Sequence, residues 1–258
     1  MEQLNALLPA DGAKTIAFVG AGGKTSAIYA FAREAAAAGR KVIVTTTTHM
    51  QYPQPEYGPL CTDAQAARTA LSAASIAVCG IDDGVSPGGV HKITSLSADQ
   101  LDQCSPKTGI CDLLLIEADG ARMLPLKVPA SHEPVVPEGT DAVFICAGLD
   151  SIGAALSEKC FRQELAQKLL HTTEDHCIAE QDIASILYAT YLKPLSKLSG
   201  ITALYAMLNK ADTSKTQRFG ERTAAALASL AAGTSAAPLY KGAYITSLKK
   251  GLFYYERF

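Results

Sequence analysis

Continuous apolar runs recur along the chain, and segments with helical spacing separate them. Six runs have the length and the β-branched or aliphatic content of buried strands. Because both faces of such a run are apolar, the pattern is typical of parallel strands that are covered by helices on both sides. The predicted strands lie within residues 14–20, 41–48, 74–81, 111–120, 142–148 and 201–212, and they end near Gly20, Thr48, Ile81, Glu117, Ala147 and Asn209.

Helical spacing is clearest in four segments. The first follows the first strand, and the next three span residues 158–171, 180–192 and 215–232. Alternating strands and helices predict an α/β fold with a doubly wound, mainly parallel sheet in a single domain over residues 1–258. The helical stripes suit a core and a homodimer interface equally well. In the first helix the stripe contains Ile28, Phe31, Ala35 and Ala38, and Gly39 follows as a C-terminal cap.

A proline-rich segment interrupts this alternation between Met123 and Gly139. Its four prolines predict an irregular loop. Long loops inside compact α/β domains are more often functional than idle. Lys127, His132 and Glu133 are therefore candidate contacts to a second ligand, although ordinary loop polarity explains the same residues.

Composition and charge argue against several classes of protein. Apolar residues make up 48% of the 258 residues and charged residues 19%, which is typical of a globular chain. A formal net charge of −2 argues against a nucleic-acid partner, and no apolar run reaches the length of about 20 residues that spans a membrane. Because the first residues lack the features of a secretory signal, we expect a cytoplasmic protein. The seven cysteines contain no CxxC pair, which favours reduced, buried thiols over a zinc site.

A glycine-rich loop joins the first strand to the first helix. Phosphate binding requires free backbone N–H groups, glycines that allow close approach, a helix N-terminus and a lysine, and an adjacent hydroxyl can bind Mg²⁺. The loop is two residues shorter than GxxxxGK(S/T), since Phe18 stands at the position of the first glycine. A Rossmann-type turn, or a plain turn with a solvated lysine, is the alternative. The candidate phosphate-binding residues are Gly20, Ala21, Gly22, Gly23, Lys24, Thr25 and Ser26.

Two carboxylates follow the fourth predicted strand. Glu117 and Asp119 come directly after an apolar run, where a nucleotide hydrolase holds Mg²⁺ or a general base. We therefore predict that both serve the metal or the attacking water, with Thr25 as a further metal ligand. The competing interpretation is that the pair only caps the Asp-Gly turn after the strand.

An NKxD pattern ends the last predicted strand. In GTPases the aspartate of this turn accepts hydrogen bonds from guanine and the lysine stem stacks over the ring. Asn209, Lys210 and Asp212 therefore predict base binding, with GTP favoured over ATP. Three fixed residues also occur by chance, but their place between a strand and a helix supports the functional interpretation.

Thr48 and His49 follow three other threonines at the end of the second predicted strand. They would lie beside the nucleotide, where a side chain contacts the γ-phosphate or positions water, and His49 is therefore a candidate catalytic residue. A hydrogen-bonded structural histidine is an equally good interpretation.

The order of loop, acidic strand end and NKAD turn is that of a P-loop nucleotide hydrolase. Five segments, VGAGGKTS, TTTTHM, EADGARMLPLKVPASHEPVVP, GLDSIGAALSE and LNKAD, together resemble the YqeC family over about residues 20–212. The segment LLLIEADG is also similar to the Glu-ended strand of the GTPases that deliver nickel to hydrogenase and urease.

The resemblance to the YqeC family implies an accessory protein for selenium-dependent molybdenum hydroxylases. Such a protein would use a nucleotide and Mg²⁺ to help mature the molybdenum cofactor, either in selenium insertion or in delivery of the finished cofactor. By the same resemblance, Arg122, Lys127 and His132 would meet a molybdopterin-type cofactor or the hydroxylase.

Two other functions fit part of the pattern. An ATP-dependent kinase or ligase acting on a small cofactor would share the phosphate loop and use the proline-rich loop as its acceptor site. A dinucleotide-binding or scaffold protein would explain the glycines alone. It would need neither Lys24 nor Thr25, and the second strand lacks the acidic residue that a Rossmann fold uses for ribose.

Overall fold

The chain forms one large sheet with helices on both faces. The structure, a computed structural model, describes residues 2–3, 12–86 and 88–256. Within them the strands are β1 (Glu2–Gln3), β2 (Thr15–Gly20), β3 (Val42–Thr46), β4 (His49–Gln51), β5 (Leu60–Cys61), β6 (Ile76–Cys79), β7 (Ile81–Val85), β8 (His91–Thr94), β9 (Leu113–Glu117), β10 (Leu126–Lys127), β11 (Ala142–Gly148), β12 (Cys160–Phe161), β13 (Ala203–Asn209), β14 (Tyr240–Ser247) and β15 (Leu252–Glu256). The helices are α1 (Lys24–Ala37), α2 (Ala64–Ala73), α3 (Ala98–Gln103), α4 (Leu156–Lys159), α5 (Gln163–Leu170), α6 (Glu180–Leu187), α7 (Lys193–Leu195) and α8 (Ser214–Ala231), with a π-helical turn, Tyr188–Leu192, between α6 and α7.

The main sheet has ten strands in the described residues, in the order β1-β15-β14-β13-β11-β2-β9-β3-β6-β5. The eight strands from β14 to β5 run parallel, and β15 and β1 add an antiparallel edge. This confirms the predicted α/β fold with a mainly parallel sheet. All six predicted strands belong to the sheet, whereas the pattern did not indicate β1, β5, β14 or β15.

The winding of the chain reverses at β2. From β2 the chain passes through α1 to β3 on one side, and from β9 it returns to β11 on the other side of β2. In α/β sheets a crevice opens at the carboxyl ends of the strands beside such a switch point. The register brings these ends level, since Glu117 of β9 pairs with Phe18 of β2 and with Thr46 of β3.

Alternate residues of the central strands face two different apolar layers. On one face Phe18 and Phe144 pack against Phe31 of α1, with ring centroids 5.2 and 5.0 Å from the Phe31 ring. The other face, which includes Ala17 and Val19, is covered by residues of α2, α3, α6 and α8. Burial on both faces is the physical reason for the continuous apolar runs.

The helix predicted over residues 158–171 is wrong as a single element. It is interrupted by β12, which pairs in parallel with β10 of the proline-rich segment. This pairing between distant segments overrides local helical propensity. It also gives the proline-rich segment a two-residue strand, where only irregular loop was predicted.

The other helices agree more closely with the pattern. In α1 the residues Ile28, Phe31 and Ala35 are buried, but Ala38 is exposed because the helix ends before it. Gly39 has a φ of 80°, as a C-terminal cap requires. The predicted helix over residues 180–192 is α-helical only in its first part and π-helical in the rest, and α8 matches its prediction within one residue.

All seven cysteines are free thiols, and six of them are buried, whereas Cys177 is exposed. The Sγ atoms of Cys79 and Cys104 lie 4.0 Å apart. In the described ranges no group of three or more His, Cys, Asp or Glu side chains is placed to hold a metal ion. None of the helices in this part of the chain is both long and apolar enough to cross a bilayer.

Candidate functional site

Three glycines between the end of β2 and the start of α1 have positive φ, and two of them also pass close to the backbone of β11. Gly20 and Gly22 have φ values of 87° and 78°, which are rare for residues with a side chain. A Cβ atom on Gly22 would lie 2.2 Å from the backbone nitrogen of Gly148. The N–H of Ala21 donates to the carbonyl of Cys146 at 2.9 Å, so the loop is held against the end of β11.

The N-terminus of α1 lines a cavity of about 550 Å³ at the carboxyl edge of the sheet. Gly23 is the N-cap residue, no side chain caps the helix, and no acidic residue lies in its first turn. The unpaired N–H groups and the positive end of the helix dipole therefore favour an anion at this position. Of the predicted loop residues, the cavity is lined by Gly22, Gly23, Lys24, Thr25 and Ser26.

Lys24 is buried at the first position of α1. Its Nζ donates to the Gly20 carbonyl at 2.7 Å and lies 3.3 Å from Oδ1 of Asp119 and 3.9 Å from Oε1 of Glu117. Burial alone would lower the pKa of this ammonium, but the attraction of Asp119 and Glu117 outweighs burial and raises the pKa above its ordinary value. Lys24 is therefore a fixed positive charge behind the loop.

Glu117 and Thr25 bring two side-chain oxygens together at the wall of the cavity. The Thr25 hydroxyl donates to Oε2 of Glu117 at 2.8 Å, and both residues line the cavity. Burial raises the pKa of Glu117 above its usual range, against the opposing attraction of Lys24. A carboxyl group with a raised pKa can exchange a proton closer to neutral pH than an exposed glutamate can.

Asp119 lies behind the loop, away from the cavity surface. Its side chain is fully buried, and Oδ2 accepts hydrogen bonds from the Gly20 N–H at 3.0 Å and from the Tyr191 hydroxyl at 3.1 Å. The ammonium of Lys127 lies 3.1 Å from the same oxygen. We predicted direct contact of Asp119 with metal or water, but this geometry suits an anchor for the loop and for Lys24.

Lys127, predicted as a contact to a second ligand, is enclosed by protein. Its ammonium donates to the Gly120 carbonyl at 2.6 Å and pairs with Asp119 and, at 2.8 Å, with Glu133. These three partners use all three N–H donors of the ammonium. Its side chain has no exposed surface, so the structure leaves no face of Lys127 open to a ligand.

Glu133 joins this buried group of charges to the far side of the cavity. One of its oxygens lies 2.8 Å from Nζ of Lys127 and 2.6 Å from the guanidinium of Arg162. Burial would raise the pKa of Glu133, but the hydrogen bonds from Arg162 and Lys127 lower it to about 2. Lys24, Lys127 and Arg162 thus balance the carboxylates of Glu117, Asp119 and Glu133.

The NKAD turn lies at the end of β13, beside the loop. The amide group of Asn209 donates to the Gly22 carbonyl at 2.9 Å, and its oxygen accepts from the Thr246 hydroxyl at 3.0 Å. Asn209 therefore supports the loop in this structure. Asp212 accepts from Ser247, and Lys210, which lines the cavity, pairs with Asp150 at 2.8 Å.

Thr48 and His49 both line the cavity, although β3 ends two residues before Thr48. The buried Oγ1 of Thr48 has no hydrogen-bond partner within the described residues. His49 is half-exposed, and its Nε2 lies 3.5 Å from the carboxylate of Asp83. Thr48 therefore offers an unpaired hydroxyl to a ligand, and His49 an imidazole at the mouth of the cavity.

The last two predicted contacts lie in different places. Arg122 lines the cavity, and its guanidinium carbon lies 5.0 Å from the centre of the Phe161 ring. His132 is exposed in the proline-rich loop and is not part of the cavity lining. The structure thus brings Arg122, but not His132, to the predicted nucleotide site.

Comparison with known proteins identifies the family of this chain. The family model described as YqeC protein matches residues 16–164, which is more than half of the chain. The chain belongs to the YqeC family. A protein of Escherichia coli (strain K12) with the name "Uncharacterized protein YqeC" is 34% identical over 174 residues, which cover 67% of this chain and 66%, just under two thirds, of the relative. The family match contains the loop, both carboxylates and Arg162, whereas the NKAD turn lies beyond it.

The donor set of this YqeC-family chain fits Mg²⁺ at one place. Mg²⁺ prefers oxygen ligands and takes one or two from protein, with water and phosphate completing the set. The hydroxyl of Thr25 and the carboxylate of Glu117 are such a pair, since they lie together at the cavity wall. Asp119, the third predicted ligand, fits less well because its carboxylate is enclosed, Oδ2 already accepts two hydrogen bonds and Oδ1 lies 3.3 Å from the ammonium of Lys24.

Several residues that complete the candidate site were not indicated by the sequence. Tyr191 lies in a segment read only as helix, and the π-helical turn brings its hydroxyl to Asp119. Arg162 and Phe161 were likewise read as part of a helix. These residues reach the site through the pairing of β10 with β12, and local periodicity carries no information about pairing between distant segments. Thr246, which holds Asn209, lies on the unpredicted β14.

Proposed function

We propose that this YqeC-family protein is a Mg²⁺-dependent nucleoside triphosphatase with the site architecture of a P-loop NTPase. The observation that carries the proposal is the placement of Lys24, buried at an uncapped helix N-terminus and held between a loop carbonyl and two carboxylates. A buried ammonium beside free backbone N–H groups favours a polyphosphate, because both interact with the same negative charge.

Each residue of the site has a role in this proposal. The N–H of Gly23 and the first N–H groups of α1 bind phosphate oxygens, and the ammonium of Lys24 adds a fixed positive charge behind them. Thr25 and Glu117 hold Mg²⁺, which when bound neutralises negative charge on the phosphates. Asp119 is a positioning residue, because it fixes Lys24 and the loop.

We assign the positioning of the attacking water to residues at the edge of the cavity near β4. Thr48 has a buried hydroxyl without a partner among the described residues, and such a group is stabilised by a hydrogen bond to phosphate or water. His49, half-exposed beside Asp83, is the candidate that orients the attacking water.

We assign the base to the NKAD turn, with GTP preferred over ATP. The turn lies at the carboxyl end of β13, two strands from β2, and Asn209 contacts the phosphate loop directly. The carboxylate of Asp212 can accept two hydrogen bonds from the N–H groups of guanine, and adenine does not present the same pair of donors. Adenine preference would instead favour an ATP-dependent kinase or ligase.

The cellular role that we propose is maturation of the molybdenum cofactor of selenium-dependent molybdenum hydroxylases. Membership of the YqeC family supports this role, together with the similarity of the Glu117 strand to metal-delivery GTPases. Removing the protein from cells should then lower the activity of such a hydroxylase without lowering the amount of its polypeptide.

A competition titration tests the nucleotide assignment. Fluorescent GTP and ATP analogues are titrated into the wild-type protein and into Asp212→Ala, with and without Mg²⁺. We expect tighter binding of GTP, a requirement for Mg²⁺, and a loss of at least about tenfold in the GTP preference of Asp212→Ala, as for other charge-assisted hydrogen bonds. If ATP binds better and Asp212→Ala changes nothing, the base assignment is wrong.

A further inference from the structure

The cavity extends well beyond the phosphate loop. Besides the loop, it is lined by the turn after β9 and by the segment around β12. Arg122 and Arg162 come from these two segments, and both are cations. The cavity therefore has a second wall that carries two arginines and one carboxylate, Glu133, and the proposed nucleotide contacts do not use this wall.

The two guanidinium groups pack against one aromatic ring. Their central carbons lie 5.0 Å (Arg122) and 4.4 Å (Arg162) from the centre of Phe161, which β12 holds in place by pairing with β10. Arg162 is neutralised by Glu133 at 2.6 Å. Arg122 forms no ion pair with any residue that the structure describes, although it lies beside a second cation. Such an arginine is set up for an external anion.

The backbone is strained at several positions around this cavity. Within the described ranges five residues other than glycine have positive φ, and four of them line this cavity. Left-handed backbone costs free energy for residues with a side chain, and it concentrates where a fold holds a ligand-binding group in a fixed position. The four residues are Arg122 (φ 48°), Met123 (φ 61°), Arg162 (φ 61°) and Lys210 (φ 66°).

We propose that Arg122, Phe161 and Arg162 form a second anion subsite that binds the phosphate group of a small phosphorylated molecule beside the nucleotide. A guanidinium presents its N–H donors in a planar fork that matches phosphate oxygens, which makes a phosphate monoester the ligand class. The inference rests on the proposed nucleotide site, since it places a second substrate in the same cavity. It assigns contact with the second ligand to Arg122 and Arg162, in place of the enclosed Lys127 and the remote His132.

Calorimetric titration with phenyl phosphate tests the subsite. The protein is first saturated with Mg²⁺ and a non-hydrolysable GTP analogue, so that the phosphate loop is occupied. We expect one molecule of phenyl phosphate to bind per chain, with benzoate and phenol binding at least about tenfold more weakly, because neither presents a phosphate. Arg122→Ala should lower the affinity for phenyl phosphate at least about tenfold, and Arg122→Lys should give an intermediate affinity.

Controls separate this subsite from the nucleotide site. Arg68→Ala removes an exposed arginine of α2 and should bind phenyl phosphate like the wild type. The inference is overturned if phenyl phosphate binds the nucleotide-free protein but not the complex with the GTP analogue, if Arg122→Ala binds it with wild-type affinity, or if benzoate binds equally well. If no nucleotide binds, the proposed function fails on its own, and the same comparison of wild type with Arg122→Ala in nucleotide-free protein still decides the subsite.

Discussion

Asp119 shows at the scale of a single residue how a buried carboxylate organises this site. It has no exposed surface, yet it contacts the loop backbone, the Lys127 ammonium and the Tyr191 hydroxyl. A buried charge is tolerated only when such partners replace its hydration. Removal of any one partner should therefore cost more stability than its contact area suggests.

Tyr191→Phe tests this dependence. The substitution removes a hydrogen bond of 3.1 Å to a buried carboxylate. We therefore expect the free energy of unfolding, measured in urea, to fall by about 1.5–3 kcal/mol. Tyr29→Phe is the matched control, because the buried Tyr29 hydroxyl has no hydrogen-bond partner among the described residues. That variant should stay within about 0.5 kcal/mol of the wild type. Equal losses in both variants would contradict the role given to Tyr191.

Glu133 links the stability of the fold to pH. Its pKa is lowered from 4.5 to about 2 in the folded protein, where Arg162 and Lys127 hold the ionised form. The resulting stabilisation is complete above about pH 4.5 and is lost as the pH falls towards about 2. Glu133→Gln should lower the free energy of unfolding at neutral pH by about 1–3 kcal/mol.

The pH profile separates this effect from simple loss of packing. The difference in unfolding free energy between wild type and Glu133→Gln should shrink steadily as the pH is lowered from about 4.5 towards about 2. Glu138→Gln, an exposed change in the same loop, should follow the wild-type profile. A difference for Glu133→Gln that does not vary with pH would show that the ionised form is not what stabilises the protein.

At the scale of an element, the loop between β2 and α1 depends on glycine for two separate reasons. Its backbone has positive φ, and it passes so close to β11 that no side chain fits. Gly39, at the end of α1, has a similar φ of 80° but open space around it. Substitution of Gly39 measures backbone strain alone, whereas substitution of Gly22 in the loop measures backbone strain together with steric collision.

We predict that Gly39→Ala costs about 1–2 kcal/mol, the usual penalty for a side chain in left-handed backbone. Gly22→Ala has φ 78° and also places a Cβ atom 2.2 Å from Gly148. It should therefore cost at least about 1 kcal/mol more, and it should weaken nucleotide binding because the loop must move. Chemical denaturation of both variants provides the test. Similar losses for both variants would mean that close approach to β11 is unimportant.

The sequence was informative for elements whose pattern is local. Buried parallel strands are apolar on both faces, so β2, β3, β9, β11 and β13 could be read directly, and the polar residues at their ends marked the site. The helix predicted over residues 158–171 failed because β12 pairs with a segment more than 30 positions away in the chain. For the same reason Arg162 and Tyr191 had no signal, since their partners are distant in sequence.

At the scale of the whole molecule, the topology gathers the candidate site at one edge of the sheet. The reversal of winding at β2 leaves the loop, Glu117 and Asn209 at the carboxyl ends of β2, β9 and β13. The cavity at this edge includes cations on two walls, and a chain of ion pairs from Lys24 through Asp119, Lys127 and Glu133 to Arg162 connects them. The proposed nucleotide and second ligand therefore share one electrostatic unit.

Calorimetric titration of GTP into the protein, in the presence of Mg²⁺, is the most direct test of the central claim. It compares wild type, Lys24→Ala and Lys14→Ala, since Lys14 is exposed and lies at the opposite end of β2. We predict one nucleotide per chain for wild type and Lys14→Ala, and at least a hundredfold loss of affinity for Lys24→Ala, or about 2.7 kcal/mol. Circular dichroism is used to check that the variants are folded. Wild-type affinity in folded Lys24→Ala, or no binding by the wild-type protein, would contradict the assignment of this loop as a nucleotide site.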